Sequence, residues 1–267
     1  MSFYYWDVIL CLGKIISVAV ILQTLELLVI KKSYSDSGIW KWATLKNELS
    51  SFSLFLRYPA FLTLLYLRLL AAVLSIFIFH PFFIAVQFFT TLMICLRFRG
   101  SFNGGSDFMT LVVLMALFFA SAFEKIPQVA IGALFYITLQ SCASYFISGI
   151  AKIKRKNWRS GIALSQFLIS SIYKENTFTK SISHSEKLSR LASWMVLIFE
   201  CTFPLAILHP QIALFYTGVA LIFHLANIYF FGLNRFLLAW GATYPALLFC
   251  SHFCAASFNN FFRVSGF

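Results

Sequence analysis

Five titratable side chains stand inside long runs of Leu, Ile, Val and Phe: Lys14, Glu26, Arg68, Glu200 and His224. An ionised group at the centre of such a run costs about 2.5–3.5 kcal/mol on membrane insertion, so it is usually paired or functional. Measured from the inner ends of their runs at the rise of a helix, Arg68 lies roughly 15 Å deep, Glu200 roughly 13 Å and His224 roughly 10 Å. Groups at similar depth on three helices can converge on one polar cavity that holds a substrate or cofactor. Asn227, three residues after His224, shares its helix face. The alternative is structural: an Arg68–Glu200 ion pair that fixes helix packing, with His224 hydrogen-bonded to a neighbour. Lys14 and Glu26 lie at different depths of one run and reach opposite interfaces by snorkelling.

A second cluster lies at 145–161, YFISGIAKIKRKNWRSG, where an apolar run breaks at Lys152, passes through a burst of cations and closes on Trp158 and Gly161. Taken by itself, Lys152 opens a cationic loop at a membrane interface, the usual topology signal. A third stretch, 97–115, carries Asn103, two glycines and Asp107, the last placed to N-cap a helix by accepting from its free amides. The six cysteines all lie in or beside apolar runs, and no Cys-x-x-Cys pair with His partners exists, so no metal site is expected. No phosphate-binding glycine loop, HExxH or nucleophile elbow is present.

The elements that must position these residues follow from composition. A chain of 267 residues that is 60% hydrophobic and 11% charged cannot cover a soluble surface. The 33 Phe suit a lipid-facing surface, and the net charge of +12 reads as membrane topology, with no nucleic-acid partner implied. A span needs about 20 mostly apolar residues. On that rule the sequence predicts helices at 7–30, 58–79, 81–98, 107–124, 127–151, 191–208, 211–231 and 236–254. The fold expected is an all-α polytopic membrane bundle of about eight spans in one integral membrane domain, 1–267. His80-Pro81, Ile126-Pro127 and His209-Pro210 mark reversals, because proline cannot continue a helical ladder. The first run lacks a basic flank and a cleavage motif and is expected to be a retained helix. The 31–57 connection and the start of 160–190 are expected to form amphipathic interfacial helices, and 174–187 a solvated loop. With eight spans, seventeen of the 21 Lys and Arg fall in the connections of one side, which places both termini outside the cytoplasm.

The pattern Tyr145-Phe-x-x-Gly149-x-x-Lys152, followed by Trp158 and Gly161, resembles the membrane domain of vitamin K-dependent γ-carboxylase and its bacterial relatives. The wider group is the horizontally transferred transmembrane (HTTM) family, which includes a membrane protein that helps mature a sporulation-delaying peptide toxin. The likeness resumes at Trp194-x5-Glu200-x3-Pro204, His224 and 231–249, and in 97–115 with Asn103 and Asp107. It covers roughly residues 57–250.

The resemblance implies that Lys152 is a catalytic base acting on a quinone-like, lipid-soluble cofactor, a role a lysine can take once its surroundings favour the neutral amine. It implies a bacterial cytoplasmic-membrane protein that matures a secreted toxin-like precursor peptide together with other maturation proteins. Two departures bear on it. The residues after Cys254 are too few to form the carboxylase's soluble portion. The charge count also puts Lys152 at the cytoplasmic edge, whereas carboxylase chemistry is lumenal. A non-catalytic membrane component, such as a transporter subunit or toxin-immunity protein, is the other reading.

Overall fold

The structure is a computed structural model that describes residues 5–45, 53–98, 104–170 and 177–264. It is all-α, with no strand among the described residues. Among the described residues eight helical segments are long and apolar enough to cross a membrane, one for each expected span: Tyr5–Val29, Ala60–Phe77, Pro81–Phe98, Gly104–Ala122, Pro127–Ile153, Glu186–Ile207, Pro210–Phe231 and Asn234–Ser257. The protein is an integral membrane protein.

The boundaries have local causes. Pro81, Pro127 and Pro210 each open a helix, where the missing N–H is no loss. Two of these starts share one device. The Nδ1 atoms of His80 and His209 accept from the amides of Phe82 (3.2 Å) and Gln211 (3.3 Å), capping the helix that the next proline begins. Gly232, with φ of 64°, ends Pro210–Phe231: its N–H donates to the Ile228 carbonyl and that of Leu233 to Asn227. The last span is two helices, Asn234–Gly241 and Tyr244–Val264, where a single one is expected from the sequence. Pro245 explains the break, since its ring clashes with the carbonyl four residues earlier. Thr243 closes the turn through its amide and hydroxyl, both donating to the Trp240 carbonyl.

Two compact units are present, residues 1–137 with 238–246, and 138–237 with 247–267. The first is a cluster of four helices, α1 (Tyr5–Val29), α4 (Ala60–Phe77), α5 (Pro81–Phe98) and α6 (Gly104–Ala122), with α1 on α4, α4 on α5, α5 on α6 and α6 back on α1. In the 31–57 connection, Lys31–Tyr34 forms a tight turn, while α2 (Trp42–Leu45) and α3 (Ser53–Leu56) are single helical turns. Leu49 and Phe52, expected on an interfacial helix, lie outside the described residues. Tyr34 packs edge-on against Phe61 and Phe98, and burial pushes its phenol up to about 12 against the lowering field of Arg97. It stays protonated and donates to the Leu27 carbonyl at 3.1 Å.

In the second unit, α9 (Ile162–Ile169) packs on α8 (Lys156–Arg159) and on α10 (Thr177–Ser183), and all three pack on α11 (Glu186–Thr202). The solvated loop expected over 174–187 is therefore corrected for 177–187, residues 174–176 lying outside the described residues: α10 buries Thr179 and Ser183, and the Ser183 carbonyl accepts from Ser165 Oγ at 2.7 Å. Helix α12 (Pro210–Phe231) buries only Ala213, Ala220 and His224. It leaves Leu214, Phe215 and Ile222 between 65 and 68% exposed, as suits a bilayer rather than water as solvent.

Two cations counted as loop charges are buried. Arg235, at the start of Asn234–Gly241, and Arg97, in the last turn of α5, are each 1% exposed. The Arg97 guanidinium donates to the carbonyls of Leu56, Tyr34 (2.9 Å) and Trp40 (3.1 Å), and lies 4.6 Å from the centroid of the Phe61 ring. Arg97→Lys keeps the charge but not the planar fork that reaches three carbonyls. Detergent unfolding should show a loss of about 2–4 kcal/mol. An Arg97→Lys protein that melts with the wild type would show that those carbonyls find other donors.

Candidate functional site

In the second unit one face of α7 (Pro127–Ile153) presents Tyr145, Ser148, Gly149 and Lys152, spaced three and four residues apart so that they stack along the helix. Gly149 sets the approach of α11. A Cβ at this position would lie 2.8 Å from the Cys201 amide nitrogen and 3.0 Å from the Glu200 Cβ, so only glycine lets the two backbones come this close. One helical turn further along α7, Lys152 meets Glu200. Its ammonium donates to both carboxylate oxygens, 2.6 Å to Oε2, and to Ser148 Oγ at 2.7 Å. Ser148 in turn donates to Glu200 Oε1 at 3.3 Å. The carboxylate is 3% exposed and the lysine 21%.

Trp158 covers the lysine, its ring centroid 5.4 Å from Nζ. The backbone that carries this indole is fixed to α11: the Trp158 carbonyl accepts from Ser193 Oγ, and the Arg159 carbonyl from Trp194 Nε1 at 3.1 Å. Gly161 makes the turn that allows this, with φ of 84° and no space for a side chain, since a Cβ would sit 2.4 Å from the Arg190 nitrogen. Two turns down α7 from Lys152, the Tyr145 hydroxyl is hydrogen-bonded to His224 Nε2 at 2.7 Å. The tyrosine ring packs against Phe199 and Phe203, with centroids 5.4 and 4.0 Å away. The face thus carries two proton-bearing pairs, one closed in by aromatic rings and one partly open.

Set against the residues singled out in the sequence, the structure brings Tyr145, Gly149, Lys152, Trp158, Glu200 and His224 together within the second unit. The Arg68–Glu200 pair is corrected: the cation on Glu200 is Lys152. Depth along a helix says nothing of the direction a side chain faces, and that comparison left out a lysine placed at the interface. Arg68 donates within the first unit, to Thr24 Oγ1 (2.7 Å), Gln23 Oε1 (2.9 Å) and Thr91 Oγ1 (3.2 Å), and Gln23 donates onward to Thr110 at 3.2 Å. Asn227 is half-buried, and its backbone carbonyl closes the end of α12. Asp107 is not an N-cap; α6 begins at Gly104, which places Asp107 inside the first turn, 4% exposed. Asn103 lies outside the described residues.

Ser148 and Ser193 are site residues that the sequence reading passed over. Ser148 carried a usable signal, standing four residues before Lys152 on the same face. Among the described residues no group of three His, Cys, Asp or Glu is placed to hold a metal ion.

Fold and site define a class: a polytopic α-helical integral membrane protein with a partly buried ion pair at the end of one span. No protein-family model matches the chain, and neither a curated protein nor a solved structure does.

The pair itself is testable by a double-mutant cycle. Glu200→Gln or Lys152→Met alone leaves a buried group without its partner and should cost about 2–4 kcal/mol in detergent unfolding, with the double variant costing less than the two together. Strictly additive losses would show that the two side chains do not interact.

Proposed function

We propose that this protein is a maturation enzyme or maturation factor of the HTTM kind, set in the bacterial cytoplasmic membrane, that acts on a secreted toxin-like peptide with Lys152 as its base. One observation carries the reading. Of the two polar pairs on the α7 face, Lys152–Glu200 is the one whose cationic side chain stays partly exposed while its carboxylate is shut away. That is the arrangement general base catalysis asks for, with geometry first. At rest Lys152 is the cation of the pair. Passing its proton to Glu200 across their hydrogen bond leaves a neutral amine beside a carboxylic acid. The amine then takes a proton from the substrate, and the bidentate pair is restored when the carboxyl releases its own.

A reduced, quinone-like cofactor suits these residues chemically. Once its proton has passed to Glu200, the Lys152 amine can accept from a ring hydroxyl, and Trp158 offers an aromatic face beside it. Such a group, when bound, supplies an acidic hydroxyl and a store of reducing electrons. The chain's own part is to orient the ring, to keep Glu200 from water and to hold the proton on Nζ or on the carboxylate.

A second reading has its own support. A bidentate bridge next to the close approach at Gly149 also serves to clamp α7 to α11, which suits a non-catalytic component such as a transporter subunit or toxin-immunity protein.

Lys152→Arg separates the two. Arginine keeps the charge and a fork for Glu200 but does not give up its proton. The variant should be normally abundant and folded, with processing of a co-expressed precursor peptide reduced about 10²–10⁴-fold. Lys154→Arg and Lys156→Arg should be silent. Full processing by Lys152→Arg removes the base and leaves the clamp.

The cation-rich connections orient the chain with both termini outside and the site at the cytoplasmic edge. In a cysteine-free background, cysteine at exposed Glu124 should react with an impermeant thiol reagent in intact cells. Cysteine at Ser181 should react only after permeabilisation. The opposite labelling would reverse the orientation and bring it into line with the lumenal chemistry of the carboxylase.

A further inference from the structure

The outer face of the first unit carries a trough of about 550 Å³ between α3, α4 and α5. Its walls include Leu54, Phe55, Leu67, Phe82, Val86 and Phe89, and they are almost wholly apolar. The hydroxyl of Thr90, on the same wall, is already spent on the Val86 and Gln87 carbonyls. Nothing there would reward water or a polar ligand, and hydrocarbon is what such a wall accepts. Helices α4 and α5 are spans joined by the short His80-Pro81 turn, so they run antiparallel. The wall on α4 begins at Ala60 and that on α5 at Phe82, at opposite ends of the hairpin, so the trough runs along the helices for roughly 20 Å. Its section is therefore about 25–30 Å², far below that of a helix with a diameter of about 10 Å. It is the section of a single extended chain.

One end of the trough has a basic rim. Arg57 stands between Phe55 and Ala60, both on the wall, and its side chain is exposed. Tyr34 packs on Phe61, in the first turn of α4, which brings the Lys31–Tyr34 turn to the same end, with Lys31 and Lys32 exposed; Lys41, also exposed, follows in that connection. Asp36 is the one exposed carboxylate among the described residues of this connection. Arg57 is an exposed cation at the end of the trough, and Lys31, Lys32 and Lys41 are exposed in the connection that reaches this end of α4; together they suit a molecule with an anionic head and a hydrocarbon tail.

We infer that this trough is a binding site for one anionic glycerophospholipid of the leaflet that faces the 31–57 connection, its phosphate at Arg57 and an acyl chain along α4 and α5. The site is independent of the Lys152 chemistry and stands whether or not that chemistry does.

The test uses the full chain reconstituted in nanodiscs of equal phosphatidylglycerol and phosphatidylcholine, then released for native mass spectrometry. The wild type should keep a single lipid and favour phosphatidylglycerol at least about fivefold, the worth of one cation near the surface. Arg57→Gln should keep the lipid and lower that preference by about the same factor. Thr63→Trp and Leu67→Trp each place an indole in the trough from an exposed position, and should lose the lipid with unchanged melting. Retention of lipid at the wild-type level by both Trp variants would overturn the site. So would a wild type that holds either headgroup equally, or one whose bound mass is a second copy of the chain. The headgroup preference is read on the wild type and on a surface variant, so the proposal can fail even if neither Trp variant folds.

Discussion

Much of the second unit depends on how closely two helix backbones can approach at Gly149. A buried carboxylate such as Glu200 is tolerable in a membrane only if a cation reaches it. Lys152 does so because the neighbouring turn of α7 has no side chain to hold α11 away. The same approach places Tyr145 among Phe199 and Phe203, where its hydroxyl finds His224. Polar pairing and backbone proximity are one arrangement here. A bulkier residue at position 149 would separate both pairs at once.

The first unit holds its buried guanidiniums by contacts drawn from several elements. Arg68 is met by hydroxyls and an amide from α1 and α5, and Arg97 by backbone carbonyls of the connection before α4. Both guanidiniums are almost fully buried, and both use the geometry of the fork rather than a simple point charge. They are suited to holding elements in place. The amine of Lys152, with one exposed side, is suited to exchanging a proton.

The spans were legible because a bilayer imposes length and apolarity on anything that crosses it. The His-Pro turns were legible because proline dictates backbone geometry. What the sequence did not disclose is direction. Arg68, Glu200 and His224 could be ranked by depth, but the facing of a side chain depends on which helices touch, and no spacing rule supplies that. Lys152 read as an interfacial cation for the same reason, since its partner lies 48 residues away on another helix. Arg97 and Arg235 read as loop charges because they flank apolar runs, and only packing distinguishes them. Asp107 and the 236–254 helix failed differently. The first missed where a helix begins by one turn. The second overlooked Pro245, whose effect was readable. The polar run at 174–187 looked like a loop because its helix α10 is anchored by packing against α9 and α11 and not by a hydrophobic stripe of its own.

The clamp at Arg97 also has a bearing on the order of assembly. A chain made from its N-terminus delivers Tyr34, Trp40 and Leu56 before Arg97 exists. When α5 enters the membrane, the carbonyls that accept its arginine therefore belong to segments already synthesised, and the guanidinium is spared a period unpaired in lipid. The reverse order would strand a charge at the end of a span with nothing to receive it. The connection between the first two spans is thus present to receive the third span's arginine from the moment that span is made.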